Sequence, residues 1–550
     1  MDMKYIRYFI LITFIIHPGY LSAREYNITP SFMIFESSTF QQSEPVIAVN
    51  PLNPMIMFCS GYTLQDGTIY RSEAIFVSTN GGLNWFGTDS CLGGPNINNH
   101  GGDPGIAIDK NGTFLLTHIG NGTPYGVFAH YSNNMGSTWS SAVILTQGVL
   151  TEDKGTMTTD TRPSSTYYGR SYAAWVNFQA PFPVLFSYTN NSGLNWVPNA
   201  QVNPGPPRRC SGGDIKTGPV GEVYVTWAGV SDTLPSAERL AGFASSTNGG
   251  TSWNVSQNIF GMSGIAGFLP TKSNIRVNGI PRLAIDNTSG PRQGWIYVVT
   301  NEKNNSPAGS DPDILFHRST DGGQTWSQGI RVNQDPANNG KIQYFPAICV
   351  DSTGAINVLY YDDRNTTSDS AQVYISRSTT GGSTWYDFQV SDKTFHPQPI
   401  PGAATGYQGD FISIVSARNK LFPVWMANYT GRYQIWMTII DIDLIGVKKI
   451  SSEVPVNYTL KQNYPNPFNP STKIKLDIPL SRGVPAGRGV SVTIKIYDIL
   501  GREISTLVNE QLQPGSYEVT WDASGQPSGV YFYELTAGSF KETKKMVLAK

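Results

Sequence analysis

Between residues 44 and 441, apolar and polar positions alternate over short, strand-length runs that recur in a fixed order. An apolar, β-branched run, a turn of Gly, Asn or Asp, and a second such run together predict a hairpin. The phrase appears seven times: "EPVIAVNPLNPMIMFCSGY" from 44, "GDPGIAIDKNGTFLLTHIG" from 102, "RPSSTYYGRSYAAWVNF" from 162, "GDIKTGPVGEVYVTWAG" from 213, "PRLAIDNTSGPRQGWIYVVTN" from 281, "FPAICVDSTGAINVLYYDD" from 345 and "GDFISIVSARNKLFPVWMAN" from 409. Six times a third run follows, and then nearly the same nine residues: "VSTNGGLNW" (77–85), "YSNNMGSTW" (131–139), "YTNNSGLNW" (188–196), "SSTNGGTSW" (245–253), "RSTDGGQTW" (318–326) and "RSTTGGSTW" (377–385). A short Asn or Asp side chain accepts backbone hydrogen bonds there and Gly supplies positive φ. Thr380 is the one departure at the acidic position. The closing tryptophan starts a fourth strand and turns a large apolar face to a neighbouring unit.

Four antiparallel strands per unit, repeated about every 60 residues, predict an all-β propeller. The nonamer count suits six blades and the hairpin count seven. Seven is preferred, because the last unit runs on to "QIWMTIIDID" and then lacks a nonamer. Its outer strand is expected from "FMIFESS" (32–38), closing the ring. After Ile450 the composition changes, and stretches such as "VSVTIKIYDILGREISTLV" and "YEVTWDA" carry the period-2 pattern of a small Ig-like β-sandwich. The expected organisation is a signal peptide over 1–23, a propeller over 31–441, a linker over 442–457 and the sandwich over 458–550.

Charged residues make up only 14% of the chain and the formal net charge is −1, which leaves no electrostatic footprint for nucleic acid or an anionic membrane. The N-terminal "MDMKYIR", the apolar "YFILITFII" and the small-residue "LSA" (Leu21 to Ala23) have the layout of an export signal. No later stretch has the 18 consecutive apolar residues of a membrane helix, so no transmembrane anchor is expected in the mature chain. Of four cysteines, Cys59 and Cys91 flank the first nonamer and are the pair expected to bond; Cys349 reads as a buried thiol. None has zinc-ligand spacing, and no metal is expected. Carboxylates in "GSDPD" (Asp311, Asp313) and "DDRNTTSDS" (Asp362, Asp363, Asp369) offer oxygen ligands for Ca²⁺ without a recognised loop pattern.

The nonamer resembles the Asp-box of the sialidase-like (BNR) propeller superfamily. That resemblance implies a propeller whose boxes lie on the face opposite its pockets, and it is shared by sialidases, other glycosidases, lyases and non-catalytic propellers. The last part of the chain resembles the type IX secretion C-terminal sorting domain, through "NYPNPFNPST" (463–472), "YDILGREI" (497–504), "GVYFYEL" (529–535) and the terminal "KKMVLAK". This implies handling by the type IX machinery through 458–550, and a secreted or outer-surface location in a bacterium with an outer membrane.

Away from the nonamers, the starts of the innermost strands and the ends of the second strands converge near the axis. Strand starts supply Glu44, Asp103, Arg162, Asp214, Arg282, Tyr344 and Asp410; second-strand ends supply Tyr62, His118, Asn177, Trp227, Glu302, Tyr361 to Arg364, Trp425 and Asn428. Arg162, Arg282 and Arg364 form a cluster suited to a carboxylate or sulfate. Asp103, Asp214, Asp410 and Glu302 are candidates for an acid/base pair. Tyr361 beside Asp363 and Arg364 is a candidate nucleophile, and Trp227 and Trp425 are candidate sugar platforms. A sialidase places an arginine just before the first box; here Glu44 stands in "SEPV". The expectation is a glycan-acting protein, a glycoside hydrolase with an acidic-sugar pocket, with a non-catalytic glycan- or protein-binding propeller as the alternative.

Overall fold

The computed structural model describes residues 26–65, 71–91, 100–120, 125–147, 152–442, 448–451, 453–480, 489–523 and 526–550; the expected signal peptide lies outside them. The chain divides into two compact units, Asn27–Ile442 and, separately, Asp443–Lys550.

In the first unit the described residues form seven antiparallel sheets of four or more strands, and one two-stranded hairpin, Gly267–Leu269 with Ile275–Val277. The first strands of the seven sheets are Gln41–Val49, His100–Ile108, Glu152–Thr159, Arg209–Thr217, Arg282–Ile285, Gln343–Val350 and Ser413–Ala417. Each touches the next, and the last returns to the first. Side chains from all seven line one channel of about 290 Å³. Its wall is apolar at Val46, Ile106, Met157, Ile348 and Ile414, and charged at Asp214, Lys216 and Arg282.

The nonamers close the third strand onto the fourth through one repeated hydrogen-bond set. In 318–326, Gly323 N–H donates to Ser319 Oγ (2.8 Å) and Thr325 N–H to Asp321 Oδ1 (2.9 Å); Trp326 Nε1–H donates to Gly323 O (3.2 Å), a bond shared by Trp85 and Trp385. In 377–385 the Thr380 hydroxyl replaces the carboxylate, accepting from Thr384 N–H at 2.9 Å. The turns also join neighbouring sheets. Gly323 (φ +92°) and Gly382 (φ +88°) lie so close to Phe243 and Phe316 that an added Cβ would stand 2.1 and 2.2 Å from the rings. Trp326 and Trp385 meet the same phenylalanines edge-on, centroids 5.2 Å apart in both cases.

In the last sheet Gln434–Met437 pairs with Phe32–Met33, so its outer strand comes from the start of the chain, where the 32–38 run suggested. The third sheet departs from the sequence reading. Its first strand is Glu152–Thr159, and 160–170 is the turn leading to Ser171–Asn177, tied by Gly169 N–H to Asp160 O (2.7 Å). "GTMTTD" is rich in threonine and carries no apolar run, which hid it. Thr156, Met157, Thr158 and Thr159 line the channel. The expected Cys59–Cys91 disulfide does not form; Cys59 is fully buried in the strand Met57–Leu64.

In the second unit two four-stranded antiparallel sheets share one core, Leu476 and Val519 from one sheet meeting Ile494, Tyr533 and Leu535 from the other. Alternation is clean, with Ile474, Leu476 and Ile478 inward and Lys473 and Lys475 outward. The strand Lys448–Ser451 falls within the stretch read as linker and pairs with Gly515–Asp522.

Candidate functional site

Five of the seven first strands shift register at the same place: between Ser43 and Val46, Gly102 and Gly105, Asp153 and Thr156, Ser211 and Asp214, and Tyr344 and Ala347. A bulge bends a strand and re-aims its side chains. Glu44 (φ +54°) and Asp103 (φ +56°) hold left-handed backbone there, each just before a proline. A non-glycine residue in that region costs about 1–3 kcal/mol and persists only where its surroundings enforce it.

The bulges gather a charged cluster at the end of the channel away from the nonamers. Arg282 is its centre, under the combined influence of Asp214, Asp103, Glu44 and Asp410. Its guanidinium stands 5.0 Å over the ring of Phe411. Burial pulls Arg282 below the usual arginine range, and the four carboxylates oppose that. Asp103 N–H donates to Glu44 Oε2 at 3.1 Å. Asp214 accepts from Lys216 Nζ (2.7 Å) and from Leu283 N–H (2.9 Å). Burial raises the Asp214 carboxyl, but Lys216 and Arg282 outweigh it and hold it below the usual carboxylate range. At the rim Arg276 pairs with Asp410 (2.5 Å) and lies 5.4 Å over Tyr407, whose hydroxyl meets Ser43 Oγ at 3.1 Å. This rim pair is open to solvent, its side chains 40% and 24% exposed. Tyr62, edge-on to Tyr407 at 6.4 Å, adds a second aromatic wall.

Asp103, Asp214, Asp410 and Arg282 are therefore brought together, and the other candidates are not. Arg162 falls in the 160–170 turn, at the nonamer end of the sheet, with its N–H on Asp160 (3.0 Å). Misplacing the third sheet's first strand put it on the wrong face. Arg364 is saturated by Asp362 (2.8 Å), Asp387 (2.6 Å) and the Tyr360 hydroxyl (3.1 Å), so it fastens strands of its own sheet. Asp363 pairs with the fully buried Lys272 (2.7 Å) and accepts from Ile342 N–H (2.7 Å). Tyr361 is fully buried and donates to Met426 O at 2.6 Å, away from the charged cluster, and burial pushes its hydroxyl well above the usual range. Glu302 accepts from Ser263 N–H, Thr300 and Asn305 (2.9, 2.7 and 2.6 Å), pinning the 262–280 segment. Trp227 lies across Gly242 in the core, and Trp425, fully buried, donates to Tyr429 (3.3 Å). Among the residues suggested for Ca²⁺, Asp313 and Asp362 are held by Arg331 and Arg364.

The sequence reading missed Arg276, Lys216, Tyr407 and Phe411. Lys216 was findable, two residues beyond Asp214 on the same strand face. Arg276 sits in the segment between the fourth and fifth sheets, which no repeat covers.

Residues 462–549 match the secretion system C-terminal sorting domain family. That domain marks proteins exported by the type IX system to the cell surface or beyond, and this chain carries it. Among the described residues no helix is long and apolar enough to cross a membrane. No curated protein matches the chain in sequence. Among solved structures, the chain is similar to an ulvan lyase of a new polysaccharide lyase family (12% identity, 72% of this chain and 93% of that one, TM-score 0.44). It is also similar to the α-L-arabinanase of Penicillium chrysogenum (11%, 76% and 99%, 0.41) and the NanB sialidase of Streptococcus pneumoniae (12%, 75% and 70%, 0.38). These scores supply no residue-level correspondence, and the site stands on its own geometry.

Proposed function

We propose that the protein acts on a glycan at the cell surface, as a glycoside hydrolase whose pocket is the charged end of the axial channel. The carrying observation is the convergence of Glu44, Asp103, Asp214 and Asp410 around Arg282, on bulged or interrupted strand starts from different sheets. Hydrolysis of a glycosidic bond needs one carboxyl group to protonate the leaving oxygen and a second, ionised one on the other side of the sugar. Asp214, held ionised by Lys216 and Arg282, suits the second role. Asp103 and Asp410 are the candidates for the first. Arg282 and the rim Arg276 offer forked donors to the carboxylate of an acidic sugar. In this reading the seven sheets are the blades of one propeller, closed by Phe32–Met33 on the last.

A second reading, a non-catalytic glycan-binding propeller, is favoured by one observation: Asp214 and Asp410 already hold cationic partners.

The test is turnover of fluorogenic uronides, sialosides and neutral glycosides by the full chain and by Arg282→Ala, Asp103→Asn and Asp410→Asn variants. Turnover lost in Asp103→Asn or Asp410→Asn, with the variant folded, supports hydrolysis. No turnover on any substrate, with glycan binding abolished by Arg282→Ala, supports the second reading.

A further inference from the structure

Behind the mouth, between the first and second sheets, lies a group of side chains that neither reading uses. His100 begins the second sheet's first strand, His118 and His130 stand diagonally across its second and third strands, and Glu73 ends the short strand Arg71–Glu73 of the first sheet. They are 4%, 0%, 1% and 0% exposed.

Their hydrogen bonds leave lone pairs facing one another. His118 Nδ1 stands 2.9 Å from Ile119 O, and His130 Nδ1 stands 3.0 Å from Ser140 O. A carbonyl oxygen only accepts, so both Nδ1 atoms carry the hydrogen. In neutral rings both Nε2 atoms are then bare, yet they face each other at 3.1 Å. Two lone pairs at that distance repel unless a cation lies against them, and an extra proton would bury a charged imidazolium. Anchoring the far ring nitrogen on a backbone carbonyl is the usual preparation of a metal-binding histidine. On the other side, His100 Nδ1 is buried without a hydrogen-bond partner, and the buried Glu73 carboxylate has no donor in good hydrogen-bond geometry, only the nearby Gly102 N–H. His100 Nδ1 and Glu73 Oε1 stand 3.9 Å apart, beyond hydrogen-bond reach and within the span of two ligands held at about 2.0–2.2 Å by one ion. One ligand atom each from Glu73, His100 and His118 lies within 4.8 Å of the others.

We propose that Glu73, His100 and His118, with His130 adjoining, bind a divalent transition-metal ion such as Zn²⁺. Nitrogen-rich donors with one carboxylate suit Zn²⁺ and its neighbours and not Ca²⁺ or Mg²⁺, which take oxygen. His100 lies flat on His118, centroids 3.8 Å apart and planes 2° from parallel. Parallel rings do not aim in-plane lone pairs at one ion, so His100 turns about its side-chain torsions as the metal enters. Glu73 also feels the charges of Glu44 and Asp103, which puts a bound cation directly behind the mouth.

The test uses the full chain, stripped with a chelator, loaded with Zn²⁺ and desalted. Expected are one zinc per chain by mass spectrometry, a melting temperature raised by several degrees with Zn²⁺ and not with Ca²⁺, and Co²⁺ visible bands of a nitrogen-ligated site. Glu73→Gln and His118→Gln lose the metal, whereas His396→Gln, on an exposed histidine, keeps it. The wild-type chain decides alone if a variant misfolds: folded protein that holds no zinc, shifts no melting point and gives no Co²⁺ band overturns the proposal. So does full zinc occupancy in both folded variants, which places the ion elsewhere.

Discussion

The two ends of the sheets in the first unit are built on opposite principles. At the nonamer end each turn satisfies its backbone through the same Ser/Thr and Asn, Asp or Thr side-chain bonds and seats glycine and tryptophan on a neighbouring sheet. At the other end the strand starts do not repeat one residue: Glu44, Asp103, Asp214, Arg282 and Phe345 occupy related places. Repetition answers a packing requirement that every sheet shares. Irregularity is concentrated where strand starts bulge or stop short of that packing. A physical division of labour follows, with stability at one end and recognition at the other.

That division is open to attack from both sides. The largest expected effect is Gly323→Val, which forces a branched side chain at φ +92° into the Phe243 ring. A loss of about 3 kcal/mol or more is expected by urea unfolding, with any surviving folded protein binding ligand normally. Next is Lys272→Met, which leaves the buried Asp363 unpaired. About 3 kcal/mol is expected, again with the mouth unaffected, because this pair pins a loop. Arg282→Ala shifts the balance: some stability is lost as its neighbouring carboxylates lose a cation, but glycan binding or turnover falls to background even in the protein that stays folded. Equal losses of stability and function in it would dissolve the distinction between the two ends.

The smallest effect is the most selective. Asp321 is the one carboxylate among the six nonamers at its position, and the Thr325 hydroxyl and amide lower its pKa to about 2. A folded pKa below the unfolded one contributes stability that is present above about pH 4 and lost as pH falls towards 2. The group is almost fully exposed, so the amount is well under 1 kcal/mol after solvent screening. Asp321→Asn, the residue four sister turns already use, removes this step in an acid titration and changes little at pH 7.

Much of this contrast was legible in the sequence. Nonamers are read because local turn chemistry fixes residue type at fixed spacing, as Ser319, Asp321, Gly323 and Trp326 show. The mouth was half read. Asp103, Asp214, Asp410 and Arg282 follow from register alone, but whether an arginine is free or spent depends on partners distant in sequence. Asp387 takes up Arg364 from 23 positions away. Strand Glu152–Thr159 was missed because a narrow channel accepts threonine where the usual signal is valine or isoleucine. The Glu73 and histidine group has no sequence signature, since its four members come from four strands of two sheets.

The outer strand of the last sheet leaves one more consequence. Thr29 meets Thr438 across 409 positions of chain, and Phe32–Met33 pairs with Gln434–Met437 beside it. The segment made early must keep its bonding edge vacant until nearly the whole unit has been made. Long-range pairing of this kind slows folding, and a waiting strand edge invites the wrong neighbour. The ring therefore closes only once residues from both ends of the unit have met.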